Sequence, residues 1–143
     1  MIVHSSSFNS TSIKMKYLIS FIFLTLSTLA FSQADITPQV SAALKKGDAT
    51  VLSGLMMPQI ELTLNGQDKT VTKADAQKML VTFFAEKQTS NFVVKHQGTS
   101  KLDDQYRIGD LTTAKGKFRV TFFMKNSGGA MQIRQLKIEP SEE

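Results

Sequence analysis

Apolar residues recur along the chain with two different periods, and each change of period marks a new element. Ile36, Val40, Ala43 and Leu44 fall at helical spacing. Thr37 stands where an N-cap belongs, with Pro38 at the first helical position and Gly47 as a left-handed stop. Asp48 then predicts a short second helix carrying Val51, Leu52, Leu55 and Met56, which Pro58 keeps from running on. Ile60, Leu62 and Leu64 alternate with Glu61 and Thr63, the period of a half-buried strand, and Asn65-Gly66 predicts a two-residue hairpin turn before Lys69 to Val71. Thr72 with Asp75 three residues on resembles a capping box for a longer helix. Its Ala76, Met79, Leu80, Phe83 and Phe84 form one stripe. Core packing against a sheet explains that stripe better than a cofactor does.

From Asn91 onward the period is two, over Phe92 to Gln97, Gln105 to Thr113, Lys117 to Lys125 and Ala130 to Glu139. Turn lengths set the expected register. A three-residue loop Ala114-Lys115-Gly116 places Phe118 opposite Thr112, Val120 opposite Asp110 and Phe122 opposite Ile108. A four-residue loop Asn126 to Gly129 sets Met131 against Met124 and Ile133 against Phe122. The Gly98 to Asp104 loop sets His96 against Tyr106 and Val94 against Ile108. These choices agree on one inner face, made of Phe92, Val94, Ile108, Phe118, Val120, Phe122, Met124, Met131 and Ile133.

The chain ahead of these elements reads as a secretory signal. Lys14 and Lys16 precede the apolar run Tyr17 to Leu29, and Ala30-Phe31-Ser32 follows with small residues at its first and third positions. Residues 1–32 are therefore expected to be a signal peptide, with 1–14 the product of an upstream start, and 33–143 a single domain. The run is too short for a spanning helix, so no stable membrane anchor is expected after cleavage, and the product is exported to the periplasm or the medium. Of 17 Lys+Arg and 12 Asp+Glu in the chain, Lys14 and Lys16 leave with the signal, so the net charge falls from +5 to +3. So small an excess does not point to nucleic acid. Without Cys there is no disulfide framework, thiolate metal site or thiol nucleophile.

The order helix, short helix, hairpin, long helix and four-stranded meander resembles the nuclear transport factor 2-like superfamily. Its most specific local element is Ala43-Leu44-Lys45-Lys46-Gly47-Asp48-Ala49-Thr50-Val51-Leu52, similar to the "A…GD…L" break between the first two helices there. The chain also resembles a secreted Bacteroidetes domain family of unknown function. The resemblance implies an α+β, cone-shaped, cystatin-like fold in which a curved antiparallel sheet wraps a long helix. It implies a pocket or a dimer and no particular activity, since the superfamily holds isomerases, dehydratases and non-catalytic binding modules.

The expected pocket is lined by Phe83, Phe84, Phe92, Val94, Phe122 and Met124, with His96, Tyr106 and Asp110 as its polar groups, and it suits a small apolar ligand. Asp110 among apolar neighbours is the candidate acid/base of an isomerase or dehydratase, because desolvation raises a carboxyl pKa. The alternatives turn Asp110 to solvent or hydrogen-bond it to Gln135 or Thr112. A His96–Asp110 dyad fails on distance, since four residues along a strand separate them by about 13 Å. No cofactor is expected, and a metal is not, because His96 has no second ligand at suitable spacing. No nucleophile elbow or phosphate-binding loop occurs. The outer face is expected to set Lys95 opposite Arg107, with Phe123, Arg119, Arg134 and Leu136 nearby. Like charges facing across strands call for an acidic partner or an anionic glycan, and the apolar share of the face points to a homodimer. The leading expectation is a non-catalytic, exported ligand-binding or interaction domain.

Overall fold

The computed structural model describes residues 34–142. The signal-peptide reading falls outside them. Helix α1 spans Thr37–Lys46 and ends on Gly47, whose φ of 67° is the left-handed stop. Asp48 caps α2, Ala49–Gly54, by accepting from the Val51 amide at 3.0 Å. Strand β1 covers Met56–Leu64 and β2 Gln67–Thr72, joined at Asn65-Gly66 with both residues at positive φ, as a type I′ turn requires. Helix α3, Lys73–Lys87, is capped by the Thr72 hydroxyl and buries Ala76, Leu80, Phe83 and Phe84. Strands β3 (Thr89–Thr99), β4 (Gln105–Thr113), β5 (Gly116–Ser127) and β6 (Ala130–Pro140) complete the chain.

The predicted meander is present, but the sheet is larger than it. Six strands run in the order β2-β1-β6-β5-β4-β3, and β1 lies parallel to β6. The sheet is therefore mixed rather than antiparallel throughout. Two further details depart from expectation. Met56 opens β1 instead of ending α2, because Pro58 removes an amide that a helix needs and a strand here does not. Thr37 is not the cap of α1; Ile36 holds that position without a side-chain bond, and Asp35 just ahead of it accepts from the Thr37 amide at 2.9 Å and its hydroxyl at 2.6 Å.

The helices bury one face of the sheet. Val40, Leu44, Leu52, Leu80 and Phe83 form a single core with Met56, Ile60, Leu62, Leu111, Phe122, Met124, Ile133, Leu136 and Ile138.

The register of β4 differs from expectation by one residue, which turns its side chains over. The β4–β5 turn holds two residues, Ala114 and Lys115, between the pair Thr113 and Gly116. The Thr113 hydroxyl accepts from the Lys115 amide and donates to the Gly116 carbonyl, which closes the shorter turn. Phe118 therefore faces Leu111, Val120 faces Gly109 and Phe122 faces Arg107. Leu111 and Arg107 point into the core, while Tyr106, Ile108 and Asp110 point away from it. A bulge at Lys95 turns the end of β3 likewise, so His96 pairs with Ile108 on the outer face. The β5–β6 turn is Gly128-Gly129, with φ of 63° and 87°, and Met124 meets Ile133. A bulge at Arg134 then swings Leu136 inward, opposite its expected outer placement, and Ile138 with it.

Candidate functional site

The nine residues expected to line one pocket are divided by the sheet. Phe83, Phe84, Phe92, Phe122 and Met124 are core side chains, Phe122 at 0% exposure, and Val94 packs against them. Phe83 stands edge-on to Phe84 at 5.8 Å and to Phe118 at 5.3 Å. Phe92 covers Gly109, its near neighbour across the strand: a Cβ on Gly109 would come within 2.6 Å of that ring and 2.5 Å of the Val93 carbonyl. His96, Tyr106 and Asp110 lie on the opposite face, so the carboxyl is not among the apolar side chains of the core. Asp110 is the cross-strand neighbour of Arg119 and Val93, not of Val120.

The expected basic patch is also rearranged. Arg107 is inside the molecule, 7% exposed, and Leu136 is in the core. Lys95 stays exposed at its bulge. Arg119 stands between Asp110 and Glu139 in one row, so the outer face alternates in sign where like charges were expected.

Arg107, expected on the outer basic face, is instead a buried polar anchor whose partners the sequence did not show. Its Nε donates to the Thr37 hydroxyl at 2.9 Å, Nη1 to the Tyr106 carbonyl at 2.9 Å, and Nη2 to Gln105 at 3.2 Å and Asp35 at 3.4 Å. The start of α1 is thereby fastened to β4. Partial burial pushes the Asp35 carboxyl up, yet the bonds from Thr37 and the Arg107 charge outweigh it and hold the pKa below the usual carboxylate range. Asp35 with a hydroxyl residue two positions on, just before a proline, is an Asx-turn pattern that the sequence did display.

On the outer face one row crosses all six strands: Gly98, Tyr106, Phe123, Gln135, Glu61 and Thr70. Tyr106 and Phe123 are half-buried, with ring centroids 6.0 Å apart at 44°. Gly98 makes room for the tyrosine, since a Cβ there would come within 2.6 Å of its hydroxyl. Arg134, aimed outward by its bulge, sits 5.9 Å over the Phe123 ring. Its Nε donates to Asp104 at 2.8 Å and Nη1 approaches Glu61 at 3.5 Å. Asp104 is 2% exposed, so a buried carboxylate fixes the guanidinium from behind.

The row leads into a cleft of about 230 Å³ lined by Glu61, Thr63, Asp68, Thr70, Gln135 and Lys137, together with Leu62 and Lys69. A second cleft, of about 580 Å³, lies between the α1–α2 junction and α3, at Gly47, Thr50, Val81 and Gln88. Among the described residues, no group of three His, Asp or Glu is spaced to hold a metal ion, and no helix is long and apolar enough to cross a membrane.

Comparison with known proteins adds the family. A sequence model described as "Domain of unknown function (DUF4783)" matches residues 37–139. A DUF4783 family protein from Bacteroides uniformis is 27% identical with a TM-score of 0.71, covering 76% of this chain and 100% of its own. One from Bacteroides fragilis is 31% identical with a TM-score of 0.70, covering 75% and 100%. More distant likenesses show the fold alone. A nuclear transport factor 2-type protein is 15% identical with a TM-score of 0.57, covering 72% and 92%. A cystatin-fold protein from Novosphingobium aromaticivorans is 14% identical with a TM-score of 0.53, covering 71% and 92%. No curated protein matches the chain.

Proposed function

The chain belongs to the DUF4783 family, with an α+β fold of the nuclear transport factor 2-like and cystatin-like kind, and from that premise we propose that it is an exported, non-catalytic binding domain whose working surface is the outer face of its sheet. One contrast carries this reading. The inner face is filled by side chains such as Phe122, Leu44 and Leu80, whereas the outer face holds two half-buried aromatic rings and a guanidinium held in place by Asp104. A small apolar ligand would have to displace the core, at a cost of several kcal/mol. Export rests on Lys14, Lys16 and the apolar run Tyr17 to Leu29, and predicts a product whose intact mass begins at Gln33.

Hydroxyl-radical footprinting of the mature chain, with and without a soluble extract of its own cell envelope, tests the working surface. Oxidation of Tyr106 and Phe123 is expected to fall while Val81, on the helix layer, is unchanged. Protection of Val81 with Tyr106 and Phe123 unaffected would contradict the reading.

A second copy of the chain is the other occupant this face fits. Val93 is 43% exposed beside Asp110 and Arg119, and that pair of opposite charges is self-complementary about a two-fold axis. Sedimentation equilibrium of the wild type and of Arg119→Glu tests it: a dimer that the substitution dissociates supports self-association, and a monomeric wild type removes it.

A further inference from the structure

We propose that the outer face carries a groove for a neutral oligosaccharide, starting on Tyr106 and Phe123 and running past Gln135 and Glu61 into the cleft between β6, β1 and β2. This rests on the reading that the outer face is the working surface, and it names the occupant.

Geometry supplies the length and direction. Tyr106, Phe123, Gln135, Glu61 and Thr70 are successive register partners, one per strand. Four strand spacings separate the first from the last, roughly 19 Å, which is the span of a short oligosaccharide. The next row on the same face, Ile108, Thr121, Lys137, Thr63 and Asp68, forms the parallel wall. The cleft already described is the far half of the space between these two rows.

Chemistry selects the class. Tyr106 lies across Gly98 and leans on Phe123, giving an apolar platform for the C–H face of a pyranose ring. Beyond it stand a guanidinium, a carboxamide, carboxylates and a threonine hydroxyl, planar or short groups that match pairs of neighbouring hydroxyls. Arg134 is preorganised, because the buried Asp104 and the Phe123 ring hold it, with Nη1 beside Glu61 and part of the side chain open to water. Charges along the groove balance, with Glu61, Asp68 and Asp104 against Lys69, Lys137 and Arg134, so no net field favours an anion or a cation. A protein partner would want a dry apolar centre, whereas here the apolar part is confined to one end.

The test is affinity electrophoresis and calorimetry of the mature chain with neutral hexasaccharides of the cello-, xylo-, manno- and malto- series, repeated in 0.5 M NaCl. At least one series is expected to bind with little salt dependence. Tyr106→Ala and Gln135→Ala should each weaken it about tenfold or more, with far-UV circular dichroism unchanged, while Val81→Ala leaves it alone. Failure of all four series overturns the proposal, as does binding that survives Gln135→Ala, binding of acidic glycans only, or a dimer that buries Tyr106. Footprint protection on Tyr106 and Phe123 without any glycan binding would sink the occupant and leave the working surface standing, whereas loss of both would sink the surface too.

Discussion

Asp35 and Arg107 make an asymmetric pair, and the asymmetry can be measured. Arg107 is buried, whereas the Asp35 side chain keeps 55% of its surface in water. Asp35→Asn retains an acceptor for the Thr37 amide and removes only the charge, leaving Arg107 with Thr37, Gln105 and the Tyr106 carbonyl as neutral acceptors. A hydrogen bond to a charged group contributes about 1.5–3 kcal/mol. The exposure of Asp35 and the 3.4 Å separation cut that by about half, so a loss of about 1 kcal/mol is expected. For a domain near 110 residues that lowers Tm by about 4–5 °C. Asp35→Ala also removes the acceptor of the Thr37 amide and hydroxyl, adding about 1 kcal/mol.

Because the folded pKa of Asp35 is depressed, its charge stabilises the fold above the unfolded value of about 3.9. That contribution is lost as pH falls through the folded pKa. Urea denaturation at pH 7 and at successive steps below pH 4 should therefore show the gap between wild type and Asp35→Asn closing toward acid. In an Arg107→Met background, Asp35→Asn should cost close to nothing. A gap that persists unchanged below pH 3, or survives in Arg107→Met, would refute the coupling.

Three other outcomes follow from the packing. Phe122→Ala should cost about 3–5 kcal/mol in denaturant titrations, since the ring is wholly enclosed. Gly109→Ala should destabilise by about 1–3 kcal/mol because the added carbon meets the Val93 carbonyl as well as the Phe92 ring, while Gly98→Ala should cost less, as the Tyr106 ring is free to swing outward. Asp104→Ala leaves Arg134 without its buried partner. It should lower stability by about 1–2 kcal/mol, and Asp104→Asn should recover part of that.

Elements were legible because their signals are local. Gly47, Asp48, the Asn65-Gly66 turn and the Thr72 cap each act within a few residues, and each is found in place. The inner faces of β5 and of the start of β3 and β6 were legible from alternation, since Phe92, Phe118, Val120, Phe122, Met124, Met131 and Ile133 are buried as expected; the faces of β4 and of the far ends of β3 and β6 were not, because they depend on turn length and bulges. One residue fewer between β4 and β5 exchanged Asp110 for Leu111 as the inward side chain. The bulges at Lys95 and Arg134 have no signature of their own, since an extra residue in one strand shows only against its partner. Parallel pairing of β1 with β6 joins residues some 75 positions apart, such as Glu61 and Gln135, which periodicity does not report. Arg107 was placed on the wrong face for the same kind of reason: its register follows the shorter β4–β5 turn, and its partners Asp35 and Thr37 come from the other end of the domain.

Everything proposed for the outer face depends on which side chains of β4 and β5 point there. The chain contains no Cys, so single cysteines report accessibility without background. Asp110→Cys, Leu111→Cys, Phe122→Cys and Phe123→Cys, each reacted with a thiol reagent under native conditions, decide the matter. Rapid labelling is expected at 110 and 123, and labelling at 111 and 122 only as fast as the protein unfolds. Rapid labelling at 111 with protection at 110 would return Asp110 to the core and contradict the account.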